Sequence, residues 1–595
     1  MIRKTTLSTA MRVAVCGLAC TSAMGIALAT GSPPASGTAT SGTNVALAEG
    51  VKLQSTDKAS MMGAFEPVRV NVVLKMHDTD ELRQMADLVR THAHAPLTDS
   101  DLAARYLPHG DDAARVVNFL RANGFGNIHV SKDNVIVTAE GTASGVQSAF
   151  GTRLYKVTNA NGSGIANVDA VQIPASLSGV VGAVLGLRSY SERGLSAAKA
   201  ATAGKNGPKL TAKVSAKGKK APGTQAASGD TTVACRECVH APTDFPQLYN
   251  ADGLAPALSQ SVAIIGVGDQ GETPALYQTW ANGYGITPIP LAITYPTGYT
   301  AGDYEAQTEA VLDIDAVTAM SGGLQQIAFY SAPSTDLSDE LTAVTAAVND
   351  NHTTISLSFA ASCDSDIPQD LRNSWDQELY AAIAKGLTVF AVTQDDGGYP
   401  NCSDNASSTG FPASSPYVVS VGASTLINTA DSYSTYDHET LWVDSESGPA
   451  ATEQRPWYQD VVANVVGSMR GTPDFVMDGD PNTGLWVVTG YVDSSGTFQQ
   501  QWAVYGGTSL AAPLLAGTYA RILQSGIPPY FWPQTFYDIG TAQVKKTKGD
   551  CLDCYNFLTG GSNGAYSVVP GQYNQASGWG SWNAASVANA MRYQR

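Results

Sequence analysis

Four short apolar runs, SVAIIGVGD, QQIAFYS, TTISLSF and LTVFAVT, recur through the middle of this chain. Between them lie three longer stretches, DYEAQTEAVLDIDAVTAM, TDLSDELTAVTAAVNDN and DLRNSWDQELYAAIAKG. Short, largely apolar runs suit strands buried on both faces, and the intervening segments carry helical spacing. Regular strand-helix alternation predicts a doubly wound α/β domain with a parallel sheet. Functional loops in such a sheet leave the carboxyl ends of the strands, where Asp269, Cys363 and Asp395 fall.

Upstream the pattern differs. VRVNVVLKM alternates as a strand, while DTDELRQMADLVRTHA and DDAARVVNFLRANG read as amphipathic helices. NIHVSKDNVIVTAEG reads as a hairpin and TASGVQSAFG as a further helix, so residues 67–190 make a small α+β domain. Residues 30–66, which begin Ser/Gly/Ala/Thr-rich, are expected to be disordered. Residues 191–234 hold eight Lys or Arg and no apolar periodicity, which predicts an extended, protease-accessible linker. The peptidase-like region runs from 235 to 595.

Arg3, Lys4 and Arg12 precede an apolar run ending in Ala27-Leu28-Ala29, so residues 1–29 read as an export signal cut after Ala29. Beyond it no stretch is long and apolar enough for a membrane span. Residues 235–595 hold 11 Lys and Arg against 36 Asp and Glu. So acidic a region repels nucleic acid and suits acid exposure. Of the six cysteines outside the signal, Cys363 and Cys402 each follow a predicted strand and are expected to bridge two loops. The pairs Cys235/Cys238 and Cys551/Cys554 are open to local bridges, to pairing with each other, or to a four-cysteine zinc site.

YGGTSLAAP places Ser509 after small residues and at the start of a helical pattern, with Pro513 in its first turn. A serine there is either a helix cap or a nucleophile in the positive field of the helix end. GTS-x-A-x-P is the nucleophile signature of subtilisin-like enzymes, whose usual base is a histidine in an H-G-T run. His240, His352 and His438 are the three histidines after the linker, and each is expected to be an ordinary surface or turn residue. A carboxylate can replace imidazole if its surroundings raise its proton affinity. Glu309 and Asp313 are four residues apart on one predicted helix, so they share a face, and their mutual repulsion holds a proton on one of them. The competing reading is a solvated acidic face, extended by Glu305.

Here the chain resembles the sedolisins, the serine-carboxyl peptidases, through GDYEAQTEAVLDID, FAVTQDDGG, FPASSPYVVSVGAST, PDFVMDGDPNTG and YGGTSLAAP, in that order. PLTDSDLAARYLP, VVNFLRANGF and QSAFGTRLY resemble their pro-kumamolisin activation domain, which implies a ferredoxin-like fold there and a subtilisin-like fold downstream. The resemblance implies Ser509 as nucleophile, Glu309 as base and acid, Asp313 as the residue that orients Glu309, and Asp395 facing the oxyanion. Thr393-Gln394 depart from the usual Ser-Gly, and Asp396 competes with Asp395 for the role. The resemblance also implies calcium held by Asp538, Ile539 and a later loop in which Asn574 stands where aspartate is usual. Loss of that charge weakens a hard-cation site.

The expectation is a secreted, acid-active endopeptidase, monomeric, made as a zymogen whose activation domain blocks its own cleft until the linker is cut, and acting on protein or peptide substrates. A non-enzymatic extracellular binding module of the same fold is the alternative, and it gives no reason to keep four site residues together. An esterase or amidase would leave the activation domain unexplained.

Overall fold

The computed structural model describes residues 44–53, 55, 57–159, 162–189, 195–196, 199–200, 239–299, 305–361, 363–398, 402, 409–530, 532–546 and 551–593. The export signal, its cleavage site and most of the linker lie outside them.

The upstream domain is built on β1 (Pro67–Leu74), β2 (Gly126–Val130), β3 (Ile136–Thr142) and β4 (Val181–Leu185). All pair antiparallel, in the order β2-β3-β1-β4. Helices α1 (Thr79–Arg90) and α2 (Gly110–Ala122) lie between β1 and β2, and α3 (Ala143–Phe150) follows β3, which is a ferredoxin-like arrangement. Alternation in β1 buries Val68, Val70, Val72 and Leu74 in one core with Val116, Leu120 and Phe150. The expectation of disorder through residue 66 is corrected: Asn44–Ala48 pairs with Val171–Pro174, and Lys58–Met61 pairs with Leu154–Asn159. Short segments of small residues can hold a strand when a neighbouring edge offers backbone partners.

Two short strands of the linker are described, β5 (Leu195–Ser196) and β6 (Lys199–Ala200). Both pair antiparallel with the downstream domain.

That domain is a sheet of β7 (Ser261–Val267), β8 (Leu291–Thr294), β9 (Gln326–Ala332), β10 (Thr354–Leu357), β12 (Thr388–Val392), β13 (Val419–Asn428) and β14 (Tyr436–Leu441), with β11 (Phe359–Ala360) continuing just beyond β10. Its order is β8-β9-β7-β10-β12-β13-β14, and β15 (Phe475–Asp478) also pairs with β13. All pairs are parallel except β13 with β14. A hairpin of β16 (Leu485–Val492) and β17 (Phe498–Gly506) leads into the helix that carries Ser509. Among its helices are α4 (Glu305–Ser321), α5 (Leu337–Asn349), α6 (Gln369–Ala384), α7 (Thr508–Gln524) and α8 (Pro533–Lys545). α7 packs on β10, β12, β13 and β15, and its closest helical neighbour is α4.

The upstream domain seats on α5 and α6. Asn71 donates to Asp339 (2.8 Å), Gln377 to the Leu74 carbonyl (3.1 Å), and Asn349 to Asp133 (3.0 Å). Lys385 pairs with Asp99 at 2.8 Å, and Arg188 pairs with Asp370. No helix among the described residues is long and apolar enough to cross a membrane.

Candidate active site

α4 is buried on every side from Glu309 to Ser321. Its acidic residues from Glu309 onward are therefore core residues, which removes the solvated-face reading for Glu309 (1% exposed) and Asp313 (0%). Close packing explains how: a Cβ on Gly517 of α7 would stand 2.9 Å from the Met320 Cβ and 3.1 Å from the Val317 carbonyl of α4. Only glycine lets the two helices approach this far.

Ser358, between β10 and β11, donates its hydroxyl to Asp313 Oδ1 at 2.7 Å. Burial, and after it the charge of Glu309, hold the Asp313 carboxyl well above the usual carboxylate range. Four residues apart on one helix, the two carboxyls share a face. Tyr505, at the end of β17, hydrogen-bonds through its phenol to the side chain of Thr308. The residue before Glu309 is thereby tied to the strand that ends three residues before Ser509.

Ser509 lies in the first turn of α7, fully buried, and its Oγ makes no hydrogen bond with any described residue. The turn before it depends on Gly507, at φ 96°, whose N–H donates to the Gly479 carbonyl at 2.6 Å. A Cβ on Gly479 would meet the Gly507 oxygen at 2.5 Å, so the DGD loop lies directly behind the nucleophile's turn.

Asp395, 3% exposed, accepts at Oδ1 from the Thr508 N–H (2.9 Å) and the Thr508 hydroxyl (2.8 Å). Asp396 is exposed. Of the two, Asp395 reaches Thr508, the residue before Ser509. Gln394, in the place of the usual glycine, holds φ 90°, a region that costs a non-glycine residue about 1–3 kcal/mol. Its amide donates to the Ala360 carbonyl of β11 at 2.5 Å.

The histidines are elsewhere. His352 stands at the amino end of the sheet, 3.0 Å from Ser261 Oγ and 2.9 Å from the Tyr330 hydroxyl. His438 lies in β14, 3.4 Å from Asp437, and His240 packs its ring against Phe245. The surface-or-turn expectation is corrected for His240 and His352, which are buried. Their polar or aromatic neighbours make the burial tolerable.

Cys363 and Cys402 form the expected disulfide, and Cys551 bonds Cys554 locally, so that pair is not a zinc knuckle here. Cys235 and Cys238 lie outside the described residues. The calcium set does not assemble. Asp538 is exposed and accepts from Gln534 at 2.6 Å, and the Ile539 carbonyl lies inside α8, where the helical ladder uses it. Asn574 Oδ1 accepts from the N–H groups of Ala576 and Ser577 at 3.1 Å each. Among the described residues no three His, Cys, Asp or Glu group together as metal ligands. The residues as placed do not fit a calcium ion.

Sequence reasoning missed Ser358, read only as part of a strand, and gave no role to Gly479. A serine directly after a buried strand, at its carboxyl end, was the available signal.

Residues 54–190 match the pro-kumamolisin activation domain, and residues 318–553 match the subtilase family of peptidases. The chain is 29% identical over 570 residues to sedolisin of Pseudomonas sp. (strain 101), covering 91% of this chain and 90% of that one. Against kumamolisin of Bacillus sp. (strain MN-32) it is 29% identical over 514 residues, covering 82% and 85%. The solved structure of Pseudomonas sedolisin, a serine-carboxyl proteinase complexed with two molecules of pseudo-iodotyrostatin, aligns with a TM-score of 0.53 at 26% identity, over 60% of this chain and 99% of that one. An activation domain of the pro-kumamolisin kind followed by a subtilase-type domain makes the chain a peptidase homologous to sedolisin and kumamolisin, which are serine-carboxyl peptidases.

Proposed function

We propose that this peptidase is an exported, acid-active endopeptidase working through Ser509, Glu309, Asp313 and Asp395. The observation that carries the reading is the pair of buried carboxyls on α4, with Asp313 raised well above the ordinary range by burial and then by the Glu309 charge, packed against the helix that carries Ser509 in its first turn.

Ser509 Oγ attacks the carbonyl carbon of a peptide bond while Glu309 accepts its proton. The tetrahedral intermediate collapses, the C–N bond breaks, and Glu309 returns the proton to the departing amine. Water then attacks the acyl ester, again giving a proton to Glu309, and Ser509 is restored. Asp313 keeps the second proton of the pair, so that Glu309 is the member able to ionise and accept. Ser358 fixes Asp313 in place and makes it the positioning residue. Asp395 has Oδ1 engaged by Thr508, and its other oxygen carries a proton to donate, together with the Ser509 N–H, to the oxyanion. An ionised Asp395 would repel that charge, so the machinery works in acid, where histidine would be protonated and unable to act as a base. No step uses calcium.

The zymogen reading rests on the seating of the activation domain on α5 and α6 and on the pairing of β5 and β6 with the peptidase domain. Acidifying wild type, Ser509→Ala and Glu309→Gln in parallel tests the assignment. Self-processing and protein digestion are expected in the wild type alone, and equal digestion by all three would reject it.

A further inference from the structure

The motif PDFVMDGDPNTG supplies no side chain to the chemistry above, yet its backbone supports the nucleophile from behind. The Gly507 N–H donates to the Gly479 carbonyl at 2.6 Å, and a Cβ on Gly506 would stand 2.4 Å from that same oxygen. Gly479 and Asp480 in turn donate their N–H groups to the Ser424 carbonyl of β13, at 3.0 and 3.1 Å. The Asp478 N–H donates to the Tyr249 hydroxyl at 2.8 Å. The loop on which the Ser509 turn rests is therefore gripped by two residues, Ser424 and Tyr249.

Both are tied to one carboxyl. The Ser424 hydroxyl donates to Glu439 Oε1 at 2.7 Å, and the Tyr249 hydroxyl donates to the same oxygen at 2.8 Å. At Oε2, Glu439 accepts from the Ser581 hydroxyl, and from the Tyr436 hydroxyl at 3.4 Å. Glu439 lies in β14 at an inward-facing position, 0% exposed, where strand alternation calls for an apolar residue such as Leu441 two positions on. A carboxyl buried there is costly unless its oxygens find donors, and four hydroxyls supply them. A buried polar network with its members satisfied is rigid, and this one stands behind the turn that presents the nucleophile.

We propose that Glu439 is a positioning residue for the peptidase reaction: through Ser424 and Tyr249 it fixes the DGD loop, and through that loop the turn that carries Ser509. The inference rests on Ser509 being the nucleophile. Glu439 itself touches neither substrate nor reacting atoms, and its effect is on where the Ser509 Oγ stands. A misplacement of about 1 Å at a reacting atom can cost on the order of 10²-fold in rate.

The test reads kcat and KM on casein in acid, with Tm alongside, for the full chain after acid processing. Tyr249→Phe removes a bond to Glu439 and leaves the Asp478 N–H without its acceptor, so it is expected to lower kcat roughly tenfold or more with KM within about twofold. Glu439→Ala is expected to do the same, and Glu439→Gln, which keeps an oxygen for Ser424 and Tyr249, to recover most of that loss. Ile327→Val, a buried change at the start of β9, is expected to lower Tm and leave kcat unchanged. Should Glu439→Ala fail to fold, Tyr249→Phe decides alone. A Tyr249→Phe enzyme with wild-type kcat, or one whose loss lies in KM, or a kcat loss as large in Ile327→Val, would overturn the positioning role, while an inactive Ser509→Ala beside it keeps the nucleophile in place. A Ser509→Ala chain that digests casein like the wild type would overturn the nucleophile assignment and this inference with it.

Discussion

Two acidic positions singled out by the same reasoning sit in different surroundings. On α4, Glu309 and Asp313 are buried against α7, and burial with mutual charge keeps a proton on Asp313 far above its ordinary range. On α8, Asp538 faces outward and is spent on Gln534 one turn away. Both helices place a carboxylate at a position the family motif marks. The difference is one of degree: full burial and the Glu309 charge raise Asp313 well above the ordinary carboxyl range, whereas partial burial raises Asp538 less and its bond from Gln534 opposes the rise.

The sharpest way to break this contrast is to neutralise each acid in turn. Glu309→Gln is expected to lower kcat/KM for a protein substrate by roughly 10³-fold or more, as removal of a member of a cooperative catalytic unit does. Asp538→Asn should leave it within about twofold, since an isolated surface charge contributes little. Comparable losses in the two variants, measured side by side in acid, would erase the distinction.

Next in size is the dependence of stability on pH. Burial raises Asp313, Asp315 and Glu340 well above their ordinary range and pushes Asp376 to about 8, there with the Glu453 charge as second cause. A carboxyl whose folded pKa is raised binds more protons folded than unfolded, so stability falls as pH climbs from the ordinary carboxyl range, about 4, toward the folded value. Asp99, held down by Lys385, and Asp169, held down by Arg153, act oppositely and lose their contribution as pH drops below that range. The Tm of the unprocessed Ser509→Ala chain should therefore be higher near pH 4 than near pH 7.5. Asp376→Asn should flatten the upper part of that decline. A Tm that rises with pH across the window contradicts the burial argument.

A smaller effect is expected on the other side of the comparison. If the Asp538 region holds no calcium, excess chelator leaves Tm unchanged, whereas a bound ion would add stability through mass action and its removal would lower Tm by several degrees. Smallest is Gln394→Gly. Release of the strained φ and loss of the amide bond to Ala360 oppose each other, so stability should move by no more than about 1 kcal/mol, read by urea denaturation. A larger loss would show that the grip on β11 outweighs the strain.

Legibility followed the same line. The strands from Ser261 to Val392 and the helices between them are readable because apolar runs buried on both faces leave a signal in the residues themselves. β13 to β17 were met only as motifs. Their hairpin strand FQQQWAVYG is largely polar and takes its order from partner backbone. Within the site, Ser509, Glu309, Asp313 and Asp395 stood out as members of recognisable strings. Ser358 is a lone serine whose role depends on lying 2.7 Å from a carboxylate 45 residues earlier.

By itself the amino-acid order determined the layering of the molecule, the helix on which Glu309 and Asp313 share a face, and the small residues that open α7, because these depend on neighbours within one or two turns or on the pattern of a single strand. Only the tertiary structure decided that α4 is sunk in the core, that Asp395 and not Asp396 meets Thr508, that Asp538 and Asn574 are committed elsewhere, and that β5 and β6 pair with β11 and β17. Each of these rests on burial or backbone pairing between segments far apart along the chain, and such contacts exist only once the chain has closed on itself.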